Sequence, residues 1–257
     1  MTDATALCIV CPLTFAAGFI DSIAGGGGLI SLPAYLVAGL PVHTALGTNK
    51  FSSTFGTIFS AARFIAHKQV HWRSVLYSIA GSLAGSFCGA KAALALQPRI
   101  LECGLVIFLP LIAVVILRKK NFGEQETHTR LSSGKMTALS LGTGLIIGAY
   151  DGFFGPGTGT FLILVYTGWI GFNFTLASGN AKLVNLASNI SALATFAIGG
   201  KVLYTIGLPA AFCGILGHWI GSGLALRNGA RIIRPVFITV LILLFLTVLW
   251  NLGVRPK

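Results

Sequence analysis

The stretch DSIAGGGGLISLP, Asp21–Pro33, puts an acidic residue, four consecutive glycines and a proline into a segment otherwise apolar enough to cross a membrane. Glycine and proline end helices, and a carboxylate within an apolar span is costly. The setting confirms that water is not the main solvent here. The chain has 257 residues, 54% of them hydrophobic and 9% charged, with mean hydropathy +0.85. Soluble domains carry about 25% charged residues. Met136–Tyr150, Phe174–Ile198, Val202–Leu226 and Ile232–Trp250 are apolar with almost no charge, and Thr5–Ala24 reads as a retained membrane helix. About 18 such residues cross a bilayer. The runs are continuous rather than alternating, which points to helices and not a β-barrel.

The net charge of +12 lies between the apolar runs, at Arg63, Lys68 and Arg73, at Arg118–Lys120, Arg130 and Lys135, and at Arg227, Arg231 and Arg234. That is the pattern of cytoplasmic loops and helix ends, so no nucleic-acid partner is expected. No Lys or Arg precedes Lys50, so the basic region of a secretory signal is missing. Cys8 and Cys11 have C-x-x-C spacing but no second pair and no nearby His. They read as two small side chains one turn apart, not as a metal or redox site. His43, His67, His71 and His128 have no metal-ligand spacing. The glycine run lacks the Lys-Ser/Thr of a phosphate loop. No cofactor is called for, and no Ser/His/Asp or paired-His set points to an enzyme.

The chain repeats itself. Gly18-Phe-Ile-Asp21 aligns with Gly148-Ala-Tyr-Asp151, and Gly25–Gly27 with Gly155–Gly157. Further along, Lys50 aligns with Lys182, Gly85 and Gly89 with Gly217 and Gly221, and Arg99 with Arg231. The expected fold is an all-α polytopic membrane protein of two tandem pseudo-symmetric repeats. Each repeat has about four transmembrane helices and one broken or re-entrant segment. The first repeat covers 1–117, a cytoplasmic linker 118–135, and the second repeat 136–257. Gly81, Gly85 and Gly89, and Gly217 and Gly221, are spaced for close helix packing within one subunit. Nothing in the sequence predicts a homo-oligomer. If the short segments re-enter, each half crosses four times and the repeats are parallel. If they complete a crossing, each half crosses five times and the repeats are inverted. Lys and Arg divide equally well both ways.

The short segments carry the chemistry. Leu29–Leu40 would be a helix of about 18 Å, against a hydrocarbon core of about 30 Å; Phe161–Ile170 is its counterpart. Short, glycine-interrupted segments at matching positions of two halves point to a transporter's binding site. A helix that starts after a glycine turn leaves its first N–H groups unpaired. In a membrane these must face protein or a wet cavity, and with the helix dipole they form an anion site. The expected substrate-binding set is therefore Gly25, Gly26, Gly27, Gly28, Asn49 and Lys50 from one half. Gly155, Gly157, Gly159, Lys182, Asn185 and Asn189 come from the other. Lys50, Ser53, Thr57 and Ser60 share one helix face, as do Ser178, Lys182, Asn185 and Asn189. A mid-membrane lysine costs about 2.5–3.5 kcal/mol on the insertion scale. Each lysine therefore pairs with Asp21 or Asp151, faces the substrate path, does each in a different state, or snorkels to an interface. Asp21 and Asp151 are candidates for coupling to protons, or caps of the breaks. His218, beside Trp219 in a glycine-rich helix, is either a packed, hydrogen-bonded histidine or a proton relay.

At these residues the chain resembles the sulfite exporter TauE/SafE family of membrane transporters. The carriers are GFIDSIAGGGGLISLPAYLVAGL and ALGTNKFSSTFGTIFSA in the first half, then GAYDGFFGPGTGTFL and GNAKLVNLASNISAL in the second. The resemblance implies transport, usually export, of sulfite, sulfoacetate and related organosulfur or organic anions across the bacterial inner membrane. A Thr is common in the family two residues before the second lysine. Here that position is Asn180, a departure that bears on substrate identity. The expected function is a secondary transporter of small anions, whose partners are that anion, the lipid bilayer and protons. The alternative is an anion channel lined by the same glycines and lysines.

Overall fold

A computed structural model describes residues 3–101 and 132–229, with positions 231–233, 235, 236 and 239 beyond them. Eight principal helices fill those residues, and no strand occurs among them. They are α1 (Asp3–Ala24), α2 (Gly28–Val37), α3 (Val42–Ala66), α4 (Trp72–Ala95), α5 (Ser133–Phe153), α6 (Thr158–Val165), α7 (Phe174–Ile198) and α8 (Tyr204–Asn228). Most of the expected linker 118–135, Glu102 and most of the run Ile232–Trp250 lie outside the described residues.

Local sequence explains the boundaries. The backbone at Gly25 has φ +81° and that at Gly155 φ +92°, a conformation other residues rarely adopt. These turns stop α1 and α5 and let short helices start. α2 has 10 residues and α6 has 8, the latter continued by one π turn, Tyr166–Ile170. At about 1.5 Å per residue, neither reaches across a core of about 30 Å. α7 is capped by Asn173, whose side chain accepts from Leu176 N–H at 2.9 Å. In α4, His71 plays that part for Ser74 N–H at 3.2 Å. Among the described residues, three helices are both long and apolar enough to cross a membrane, Ala4–Ala24, Phe174–Ile198 and Tyr204–Asn228.

Helices from the two ends of the chain interleave. α1 packs along α8, and α4 along α5. α3 lies against α7 and α8, and α4 also against α7. The regularly spaced glycines make the closest contacts. A Cβ on Gly81, Gly85 or Gly89 would strike the α5 backbone around Leu141, Leu145 and Ala149. One on Gly144, Gly148 or Gly152 would strike α4 at Ser78, Ser82 and Ser86. Gly217 and Gly221 meet α1 at Phe15 and Phe19 in the same way. All these contacts lie within one chain. Ser82 and Ser86 hydroxyls then donate to the carbonyls of Val184 and Ser188 on α7, at 3.1 and 2.6 Å.

The solvent preference is inverted. Ile198 is 90% exposed and Ile146 72%, while Lys50 and Lys182 are 2% and 0% exposed. Apolar side chains outside and ammonium groups inside suit a surrounding of lipid tails. Gly85→Val should therefore cost about 1–3 kcal/mol or more through overpacking. Gly142 has nothing within 4 Å of a would-be Cβ among the described residues. Gly142→Ala should hold or raise stability by about 0.5–1 kcal/mol. Thermal unfolding of the two variants in detergent checks the contrast.

Candidate functional site

The two glycine breaks touch. With no side chain on Gly25, the backbone of Gly159 and Thr160 fits directly against it; a Cβ there would overlap both. Thr160 N–H donates to Gly25 O at 3.2 Å, and the Thr160 hydroxyl to Ala24 O at 3.0 Å. Ser178 Oγ donates to Ile23 O at 3.2 Å, joining α7 to the same turn. The breaks are thus stitched into one centre.

Each break is capped by the aspartate before it. Asp21 Oδ1 accepts from Gly27 N–H at 3.2 Å, and Asp151 Oδ1 from the Thr158 hydroxyl at 2.7 Å. Carboxylates are favoured at helix N-termini, where amide dipoles converge. The other oxygens meet lysines, and the pairing crosses the chain. Lys50 Nζ lies 2.7 Å from Asp151 Oδ2, and Lys182 Nζ 3.4 Å from Asp21 Oδ2. Lys50 also donates to Asn189 Oδ1 at 3.0 Å. Lys182 also donates to the backbone carbonyl of Asp21. Removing one partner of such a buried pair costs about 3–5 kcal/mol, because the other charge is stranded.

A cavity of about 40 Å³ opens at this centre. One water needs about 10–15 Å³ by this measure, so the space suits a few waters or one small solute. Of the expected residues, Gly25, Gly27, Gly28, Asn49, Lys50, Gly155, Gly159, Asn185 and Asn189 line it, as do Asp21 and Asp151. Gly26, Gly157 and Lys182 do not. Lys182 is sealed behind Asp21. The N–H groups of Gly28 and Gly159 meet no acceptor among the described residues. Asn49 Oδ1 is likewise buried without a hydrogen-bond partner among them. Buried polar groups are rarely left so; these border a space where a solute or water can reach them.

Gly27 and Asn180 also make contacts of their own. The direction in which Gly27 lacks a side chain is toward Ala17 O and the Asp21 side chain. Gly27 therefore permits α1 and α2 to meet. Asn180 does not face the cavity; its Oδ1 accepts from His71 N–H at 2.9 Å and ties down the α3–α4 connection. Thr14, Ser31, Thr158 and His218 also line the cavity. Thr14 lies two turns before Asp21 on α1, a spacing from which it could have been found. His218 Nδ1 is 3.2 Å from Ser60 Oγ, and its Nε2 is 4.0 Å from Asp21 Oδ2.

Fold and site define a helical membrane protein whose intramembrane charges gather at one break-centred cavity. The family model described as sulfite exporter TauE/SafE matches residues 10–248, and the chain belongs to that family of membrane transporters. It is 37% identical over 235 residues to a probable membrane transporter protein, ORF9, of Sinorhizobium sp., covering 91% of this chain and 89% of that one. It is 38% identical over 224 residues to the probable membrane transporter protein YfcA of Escherichia coli K12, covering 87% and 82%. A probable membrane transporter protein of Haemophilus influenzae is 33% identical over 232 residues, 90% of each chain. No solved structure matches.

The crossed pairing is testable by double-mutant cycles in detergent unfolding. Asp21→Asn with Lys182→Met should show coupling of about 1–3 kcal/mol. Asp151→Asn with Lys50→Met should do the same. The same-half combinations, Asp21 with Lys50 and Asp151 with Lys182, should couple more weakly.

Proposed function

We propose that the protein is a secondary transporter, acting as an exporter, of small anions such as sulfite, sulfoacetate or related organosulfur and organic anions. Its membrane is the bacterial inner membrane, which it crosses several times; a helical chain with bacterial relatives supports this placement. The observation that carries the reading is the cavity at the joined breaks. It presents an ammonium group, that of Lys50, beside carboxamides and unpaired helix-start amides. That set matches an anion with several oxygens, which accepts hydrogen bonds from all sides.

In this reading the anion displaces the Asp151 carboxylate from Lys50. Gly25–Gly28, Asn49, Gly155, Gly157, Gly159, Asn185 and Asn189 supply the rest of the contact over the cycle. Lys182, paired and sealed here, takes the equivalent part in the opposite-facing state. Alternating access then runs between two pseudo-symmetric repeats, 1–117 and 136–257. The succession long, short, long, long helix in each half supports the repeats, as do the reciprocal packing of α1 on α8 and α5 on α4 and the crossed ion pairs. Protons are the proposed coupling ion. The small volume of the cavity favours a carrier over a channel.

The test uses purified protein in proteoliposomes with labelled sulfite, sulfoacetate and thiosulfate. Wild type should show saturable counterflow with at least one of these anions. The double variant Lys50→Met/Asp151→Asn removes the cavity's cation and leaves no lone charge behind. Its transport should fall about 30-fold or more, the scale of losing ~2 kcal/mol of charge-assisted contact. Unchanged counterflow in a folded double variant would remove Lys50 from the mechanism.

A further inference from the structure

His218 is 3% exposed and borders the cavity from α8. Its ring fills a slot that glycines leave open. A Cβ on Gly18 of α1 or on Gly56 of α3 would overlap the imidazole Cδ2. The Ser60 hydroxyl has one hydrogen and lies 3.1 Å from Thr57 O and 3.2 Å from Nδ1. With that hydrogen on Thr57 O, its oxygen accepts from Nδ1–H and Nε2 carries the lone pair. Asp21 Oδ2 is 4.0 Å from it, beyond hydrogen-bond reach, and no donor among the described residues meets it.

The charges around this ring balance. Asp21 on α1, Asp151 just before the second break, Lys50 on α3 and Lys182 on α7 are the charged groups at the centre, two of each sign. No ionisable side chain of α2 or α6 lines the cavity. An anion that enters brings a negative charge that nothing present offsets, and an uncompensated charge in a low-dielectric site is costly. Asp21 keeps Lys182, and Asp151, displaced from Lys50, still accepts from the Thr158 hydroxyl. Nε2 is the uncharged base that borders the cavity. We propose that His218 binds one proton at Nε2 as the anion enters, so that anion and proton load and leave together. The lone pair takes the proton from cavity water, the imidazolium turns to Asp21, and the proton returns to water when the anion departs. The equivalent position in the other half is Ser86, which donates to Ser188 O at 2.6 Å and is no base near neutral pH. The site therefore couples one proton, not two.

This inference rests on the anion-transporter reading, and one set of vesicles separates the two. Thiosulfate and sulfoacetate are the probes, since neither takes up a proton near neutral pH. Wild-type vesicles with a trapped pH dye should show proton movement in the direction of the anion. The KM for exchange should rise about ten-fold per pH unit on the alkaline side, the signature of one linked proton. His218→Gln and His218→Asn should show a high KM at every pH, with that slope gone. A wild-type slope kept in either folded variant would overturn the assignment, and so would wild-type KM values without pH dependence. If both variants fail to fold, wild-type anion uptake without proton movement would still overturn it. Wild-type vesicles that exchange neither these probes nor sulfite would overturn the transporter reading itself, and this inference with it.

Discussion

Two ammonium groups and two carboxylates cannot stay isolated at membrane depth, where each lone charge carries a penalty of several kcal/mol. Their pairing ties the whole structure together. Lys50 on α3 reaches Asp151, and Lys182 on α7 reaches Asp21. Neither lysine can be satisfied unless α1, α3, α5 and α7 converge. The breaks after Asp21 and Asp151 then come into contact at Gly25 and Gly159, and their short helices point amide ends at one small space.

Small residues make that convergence geometrically possible. Between lipid-exposed helices no hydrophobic force pulls, so close backbone approach and interhelical hydrogen bonds must hold them. The glycines and serines of α4 and the glycines of α5 and α8 supply both. α4 with α5, and α1 with α8, become tightly meshed pairs. Any rearrangement that exposes the cavity to one side or the other is easier between these pairs than within them.

The sequence made much of this legible, because glycine runs, lone carboxylates and lone lysines in apolar segments have few bland explanations. The breaks, the short helices and most of the cavity's lining follow from those signals. What periodicity could not give is which residue faces which across the chain. Crossed and same-half pairing are equally consistent with the order of Asp21, Lys50, Asp151 and Lys182. Asn180 stood out as a departure from the resembled family's Thr; two residues along a helix from Lys182 is about 200° around it, and its side chain serves the α3–α4 connection. Gly27 lies in the run that forms the break, but the side of the backbone it leaves bare faces α1. Thr14 shares a face of α1 with Asp21, but Ser31 on α2 and His218 on α8 come to the cavity only through the packing.

The crossing of the ion pairs also makes each stretch of the chain depend on the other. Cut between its halves, this chain would yield two pieces, each carrying an aspartate and a lysine intended for the other. Each piece by itself would strand an ammonium and a carboxylate in a low-dielectric interior, so the two stretches hold their charges only when they fold against each other.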